Sequence, residues 1–251
     1  MLGRMFLIIF FILLLWAIAM YFIWNDRIKN LSTSNPDVVA LSFDDSPDSS
    51  SPPDIATYTI KPDTVALTFD DGPTPPYTLE IIKILKDNDV KATFFVLGKN
   101  AEQYPELVRQ AYQEGNAIAC HGLNHLDLTK ATMEQVKTEV LGCKKIIKQI
   151  IGKSPICYRP AYNKITPAVQ KYIESQGMAI IKVEIDSTDW QYLDGNTIIN
   201  NTLSLIEPQS EITMHDGTSE SEDRSSTVKA LPALIQKIKT MGLGISRICY
   251  P

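Results

Sequence analysis

Val65-Ala66-Leu67-Thr68-Phe69-Asp70-Asp71-Gly72-Pro73 joins an apolar run to two adjacent carboxylates and a Gly-Pro turn. Strand-forming residues that stop at Asp-Asp-Gly-Pro describe a buried strand delivering two acids to its C-terminal rim. Side chains alternate along a strand, so the neighbouring acids point different ways. One can ligate a metal while the other handles a proton. The simpler reading is a turn and nothing more, and the rest of the chain decides between the two.

From residue 65 onward, strands and helices alternate. Strand-like runs lie at 65–69, 92–97, 117–121, 156–160, 179–186, 211–215 and 245–250. Helical patterns lie between them. Thr132 and Gln135 form a capping box, and Val136, Val140, Cys143, Ile147 and Ile150 follow at helical spacing. Thr166-Pro167 opens another helix and Gly177 stops it. The last helix runs to about Met241 and ends at Gly242. Seven strands in such alternation imply an α/β fold with a parallel sheet, closed as a barrel or left open. Periodicity does not choose between these, but both place working residues at strand C-terminal ends.

The chain has 251 residues, 44% hydrophobic, and a net charge of -5. That allows one domain with a real core plus appendages. Mild acidity without a Lys/Arg block excludes a nucleic-acid role, and nothing implies a protein partner. Met5 to Trp24 is an unbroken apolar run, long enough for a helix to cross a bilayer. A cleaved signal peptide is the alternative, since Ala17-Ile18-Ala19 resembles a cleavage site. Residues 1–29 are therefore expected to be a transmembrane anchor, with 5–24 as the membrane contact. The expected location is the cell membrane, single-pass, with the domain outside the cytoplasm, or secretion after cleavage. Residues 30–63, rich in Ser, Pro, Asp and Thr, read as a flexible stalk. Within them Val39 to Pro47 nearly repeats 65–73, but no helical pattern follows that copy, so it reads as a remnant or an extra strand. Residues 64–251 form the globular domain. Cys120, Cys143, Cys157 and Cys249 allow up to two disulfides. Cys143 fits a buried free thiol at least as well, and Cys120 should pack on the side opposite its neighbour His121.

All three histidines fall at strand ends. His121 and His125 follow the third strand, and His215 ends the sixth. With an acid pair on the first strand, two His and one carboxylate can make a three-ligand metal site with an open position for water. Tyr158-Arg159-Pro160-Ala161-Tyr162 ends the fourth strand, and Glu184-Ile185-Asp186-Ser187-Thr188-Asp189-Trp190 ends the fifth. Each motif alone has a bland reading, as a salt bridge or an aromatic cap. Together they load successive rim positions with Asp, His, Arg and Trp.

The order TFDDGP, HxxxH, RPxY, DxxxW and xxH resembles the polysaccharide deacetylases, family 4 of the carbohydrate esterases, over about residues 64–250. The resemblance implies an irregular (β/α) barrel of seven parallel strands. It also implies removal of acetyl groups from N-acetylglucosamine polymers with a divalent metal. By the resemblance, Asp71, His121 and His125 hold the metal and Asp70 is the general base, oriented by Arg159. His215 is the general acid with Asp186 as its partner. The Tyr162 backbone N–H helps hold the oxyanion, and Pro160, Trp190 and Thr213 belong to the substrate pocket. Zinc is the default metal for Asp-His-His, and cobalt, nickel or iron can occupy such a site. The sequence departs from the family at Gly122 (Ser or Thr is usual), Ala161 (Pro), Asn163 (Gly) and Thr213 (Leu).

The chemistry requires these residue types independently. An amide is a poor electrophile and an amine a poor leaving group, so the reaction needs a Lewis acid, a base and an acid. The expected substrate is cell-wall polysaccharide, peptidoglycan before chitin-like oligomers, poly-N-acetylglucosamine or an O-acetyl ester. A catalytically weak glycan-binding or scaffold protein on the same fold is the second hypothesis, motivated by the four departures.

Overall fold

The computed structural model describes residues 59–191, 193–217 and 223–250, all within the unit Ser50–Pro251. Strand β1 (Thr64–Asp70) is the hub. It pairs with β2 (Thr93–Val96) on one side and β7 (Glu211–His215) on the other, while its first residues also pair with β8 (Gly244–Ser246). Beyond β2 lie β3 (Ala117–Cys120), β4 (Cys157–Tyr158) and β5 (Ala179–Ile180), and beyond β7 lies β6 (Ile185–Asp186). Every described ladder is parallel. Connections run through α1 (Tyr77–Asp87), α2 (Gly98–Gln103), α3 (Pro105–Gln113), α4 (Met133–Ile151), α5 (Pro167–Ser175), α6 (Gly195–Leu203) and α7 (Ser225–Thr240).

The sheet curls because its connectivity demands it. Its order is β5-β4-β3-β2-β1-β7-β6, so β5 and β6 are its two edges. Only residues 181–184 join them. That stretch reaches about 17 Å at full extension. Laid flat, the strands would put the edges about 29 Å apart at ~4.8 Å per spacing. The edges therefore turn toward each other. No β5–β6 ladder is present among the described residues.

Alternation along the strands gives the curl two faces. Val65, Leu67, Phe69, Phe94, Val96 and Ile118 point outward into the core shared with the helices. Ala66, Phe95, Ala119, Ala179 and Ile181 point inward. The alanines suit a concave face where strands crowd. Cys120 packs outward in the main core, as expected from its position next to His121. Cys120 and Cys143 are free and buried, whereas Cys157 and Cys249 form a disulfide.

Helix α4 has the expected start. The Thr132 hydroxyl accepts from Gln135 N–H, the Gln135 amide oxygen accepts from Thr132 N–H, and Gly152 ends the helix at φ 72. Its buried face holds Val136, Val140, Cys143 and Ile147, with one acid, Glu139, among them.

Three expectations need correction. The run 179–186 is two strands, β5 and β6, on opposite edges, because Lys182-Val183-Glu184 crosses the seam. The expected irregular barrel of seven parallel strands is therefore a curled half-barrel of eight. The third concerns the membrane. Among the described residues no helix is long and apolar enough to cross a membrane. The longest of them, α4, has 19 residues but exposes lysines and glutamines along one face. The expected transmembrane helix at 5–24, the stalk up to residue 58 and the near-repeat at 39–47 lie outside the described residues. Among the described residues the fold is the α/β unit alone, and the membrane contact and single-pass location are withdrawn. At the near end of the expected stalk, Ile60 packs on the inner cluster and its carbonyl accepts from Gln209 Nε2.

Candidate active site

Strand register assembles the rim. Asp70 lies opposite His215 across β1 and β7, and Cys120 lies opposite Tyr158 across β3 and β4. One residue further along, Asp71, His121 and Arg159 leave their strands at the same end of the sheet. Asp71 turns sharply, at φ 74. The turn is crowded: a Cβ on Gly72 would overlap the Asp216 carboxylate, and one on Gly217 would overlap the Asp71 carbonyl. Only glycine fits either position.

Asp71, His121 and His125 each bring one ligand atom to within 4.8 Å of the others. Asp71 Oδ1 is 3.4 Å from Nε2 of both His121 and His125. Although buried, this oxygen has no hydrogen-bond partner. His121 Nδ1–H donates to the Arg159 carbonyl at 2.9 Å, which leaves the Nε2 lone pair facing Asp71. Burial opposes ionisation of Asp71, but its interactions with His121, His215 and His125 outweigh it and hold the carboxyl well below the usual range. An anionic oxygen without a donor, facing two imidazole nitrogens, fits a divalent cation. The trio is a group capable of holding one.

Asp70 points inward. Its Oδ1 accepts from Arg159 Nη1 at 2.6 Å, and its Oδ2 is 3.9 Å from His121 Nε2. Arg159 is fully buried. Its Nη2 donates to Glu211 Oε1 at 2.7 Å, its Nη1 also donates to Thr68 Oγ1 at 2.8 Å, and its guanidinium stacks 4.0 Å over Phe95. Burial disfavours its charge, but Asp70 and Glu211 more than compensate and raise its pKa. The hydroxyls of Thr68 and Thr213 donate to Glu211 Oε1, and the Glu184 N–H donates to Glu211 Oε2. This network fixes the Asp70 carboxylate without covering its second oxygen.

His215 is held from behind. Its Nδ1–H donates to Asp189 Oδ1 at 2.7 Å and its backbone N–H to Asp189 Oδ2 at 2.9 Å. Thr227 Oγ1 donates to Asp189 Oδ2 at 2.7 Å. Burial pulls the His215 pKa down, but the Asp189 charge pulls harder, so it rises to about 9. The expected partner, Asp186, does not reach His215. It accepts instead from Thr188 N–H and Trp190 Nε1. Asp186 lies in β6 beside Thr213, and the following turn, Asp189–Gln191, carries Asp189 in behind His215. Both acids stand in one stretch of sequence, and burial separates them: Asp189 is 2% exposed.

The remaining expected pocket residues are dispersed. Tyr162 is exposed, at φ 57, with its ring centroid 4.5 Å from that of His125. Asn163 follows at φ 57, a left-handed position that Asn tolerates better than most residues. Pro160 is buried. The Thr213 hydroxyl is engaged by Glu211, and Trp190 is 45% exposed with its N–H on Asp186. Three residues of the site escape the sequence reading: Glu211, Thr68 and Asp189. The signal for the first two is an acid and a hydroxyl inside strands otherwise buried on both faces, where each needs a partner.

A family model described as Polysaccharide deacetylase matches residues 57–181. That span holds Asp70, Asp71, His121, His125, Arg159 and Tyr162. The chain is 35% identical over 204 residues to a Bacillus cereus peptidoglycan-N-acetylglucosamine deacetylase, covering 81% of this chain and 64% of that one. It thus spans slightly less than two thirds of that relative's length. A second Bacillus cereus protein of the same name is 32% identical over 211 residues, covering 83% and 85%. A crystal structure of a peptidoglycan N-acetylglucosamine deacetylase superposes with a TM-score of 0.71 at 34% identity, covering 73% of this chain and 85% of that one.

Proposed function

Since the chain belongs to the polysaccharide deacetylase family, we propose that it is a metal-dependent N-deacetylase of N-acetylglucosamine-containing polysaccharide. Peptidoglycan is the preferred substrate, with chitin-like oligomers and poly-N-acetylglucosamine next. The observation that carries this reading is the donorless Asp71 oxygen facing His121 and His125, beside a separately held Asp70. The names of the relatives support the choice of peptidoglycan. A groove of about 830 Å³ beside His125, lined in part by Leu126, Asp127, Tyr162 and Lys164, gives a polymer room to lie across the rim.

Asp71, His121 and His125 would hold the metal, and two imidazoles with one carboxylate favour zinc, ahead of cobalt, nickel or iron. When bound, the metal supplies Lewis-acid polarisation of the amide carbonyl and lowers the pKa of water. The chain's own groups carry the protons. Asp70, fixed by Arg159, accepts one from the attacking water. The Tyr162 backbone N–H helps hold the carbonyl oxygen as it gains charge. His215 then donates to the nitrogen as the C–N bond breaks, giving acetate and a free amine. Asp189 keeps His215 charged for that step.

The decisive measurement is acetate released from each polymer by the full chain loaded with zinc, cobalt or nickel. Glycan binding with no acetate under any metal would replace this reading with the weak-binder hypothesis. Asp71→Ala, His121→Ala and His125→Ala should each lose tight metal binding, read as metal content after dialysis. Stoichiometric metal in all three would remove the mechanism.

Asp189→Asn tests the acid. It removes the charge that raises His215 to about 9. The donor must be protonated, so activity falls as pH rises through its pKa. In the variant that alkaline limb moves to lower pH, and activity at pH 8 falls more than activity at pH 6. Profiles measured at equal metal loading check this, and an unmoved alkaline limb would exclude His215 as the acid.

A further inference from the structure

We propose that Glu139 is a positioning residue that presets the spacing of His121 and His125 before any metal arrives. The proposal rests on the metal-site reading above. Glu139 lies in the middle of the buried face of α4 and is 3% exposed. A buried carboxylate needs either a cation or several donors. Among the described residues no cation pairs with it, and its partners all belong to the loop between the two histidines. Oε2 accepts from Leu123 N–H and Asn124 N–H, each at 2.9 Å, and Oε1 accepts from Asn124 Nδ2 at 2.8 Å.

The loop is held on its other side by carbonyls. Gly98 N–H donates to the Gly122 carbonyl and Lys99 N–H to the Leu123 carbonyl, both from the start of α2. Glu139 therefore supplies the acceptors, and α2 supplies the donors, for one short segment with a metal-binding histidine at each end. His125 leaves this clamp at φ 62, a backbone state that an unheld loop would populate poorly.

Gly122 explains why the clamp comes from a helix. The residue sits at φ 96, and a Cβ there would lie 3.0 Å from Glu139 Oε2 and 3.2 Å from the Tyr158 hydroxyl. The Ser or Thr that the family resemblance leads one to expect at 122 would be strained in this left-handed backbone and would press on the Glu139 carboxylate. The space is taken by the Glu139 carboxylate. Leu123 in turn packs against Gly98 and Gly142, whose Cβ positions would fall 2.8 and 2.9 Å from its methyl groups. The loop is thus seated on both helices, and Glu139 is its one anionic anchor among the described residues.

Glu139→Leu removes all three hydrogen bonds to the loop while keeping an apolar helix face. Its zinc affinity, measured by chelator competition, should fall at least tenfold, the range seen when groups supporting metal ligands are lost. In metal-free protein the Leu123 and Asn124 amides should exchange faster. Glu139→Gln keeps an oxygen for the two backbone donors and should retain most of the affinity. Wild-type zinc affinity in the Leu variant would overturn the proposal, as would a lower Tm with unchanged affinity. If Glu139→Leu does not fold, Asn124→Ala carries the test: it deletes one contact from outside the helix and should weaken zinc binding several-fold, and unchanged affinity overturns the proposal. Neither readout uses acetate release, so failure here is distinct from failure of the deacetylase reading.

Discussion

Asp70→Asn should keep its metal and lose at least a hundredfold in turnover. Asn preserves the shape of the side chain, and its amide oxygen can still accept from Arg159 Nη1 at the position of Oδ1. What it loses is the basic second oxygen, the one 3.9 Å from His121 Nε2. Positioned general-base catalysis is worth about 10²–10⁴-fold, roughly 3–5 kcal/mol of barrier. Metal content should stay near wild type, because the three atoms that could hold it belong to Asp71, His121 and His125. Affinity for the glycan should change little. The paired measurements are metal per chain and acetate release under saturating substrate. Loss of metal would mean that the two adjacent carboxylates have been assigned in the wrong order. Retention of both metal and full rate would place the base elsewhere.

Arg159→Met should be the most destabilising single change in the site. The guanidinium is fully buried between two carboxylates, Asp70 and Glu211. Its removal leaves two anions close together without a counter-charge. Breaking a buried pair by deleting one partner costs about 3–5 kcal/mol. At ~2–4 °C per kcal/mol for a domain of this size, Tm should drop on the order of 10 °C. Adding Glu211→Gln in the same chain should recover part of the loss, since one unpaired charge disappears. A Tm within 2 °C of wild type, or no recovery in the double variant, would count against this account. His121 hydrogen-bonds the Arg159 carbonyl, which the substitution leaves in place. Folded Arg159→Met should therefore still bind metal while losing rate.

The readable part of the fold follows from local physics. Val65 to Phe69 alternates between two apolar environments and stops at charged residues, so its ends and faces can be read without a partner strand. Thr132 and Gln135 carry their own hydrogen bonds, which makes the start of α4 legible. Asp71, His121 and His125 are visible because all three lie just after strands and none falls within a helix. The split of 179–186 is not legible, since an edge-to-edge crossing depends on the whole sheet order and not on the residues that cross. The partner of His215 is likewise a tertiary fact. Asp186 and Asp189 are chemically alike, and only the turn between them decides which acid is buried. Glu139 looks like an ordinary surface acid until its donors, supplied from the loop after β3, come into view.

The seam described in the fold has a consequence for solubility. An open sheet edge presents unpaired N–H and C=O groups that can recruit another chain, and long flat edges are aggregation templates. Here the two ends of the main strand order are two-residue strands, Ala179–Ile180 and Ile185–Asp186, and β8, which pairs with β1 off that order, has three residues. The short link between those two ends is polar, with Lys182 and Glu184 exposed, and its Glu184 side chain and backbone exchange hydrogen bonds with Glu211 of the neighbouring strand. A foreign strand would find almost no ladder to extend and would have to displace those bonds to reach it. The curl that carries the catalytic rim thus also hides the sheet from other sheets.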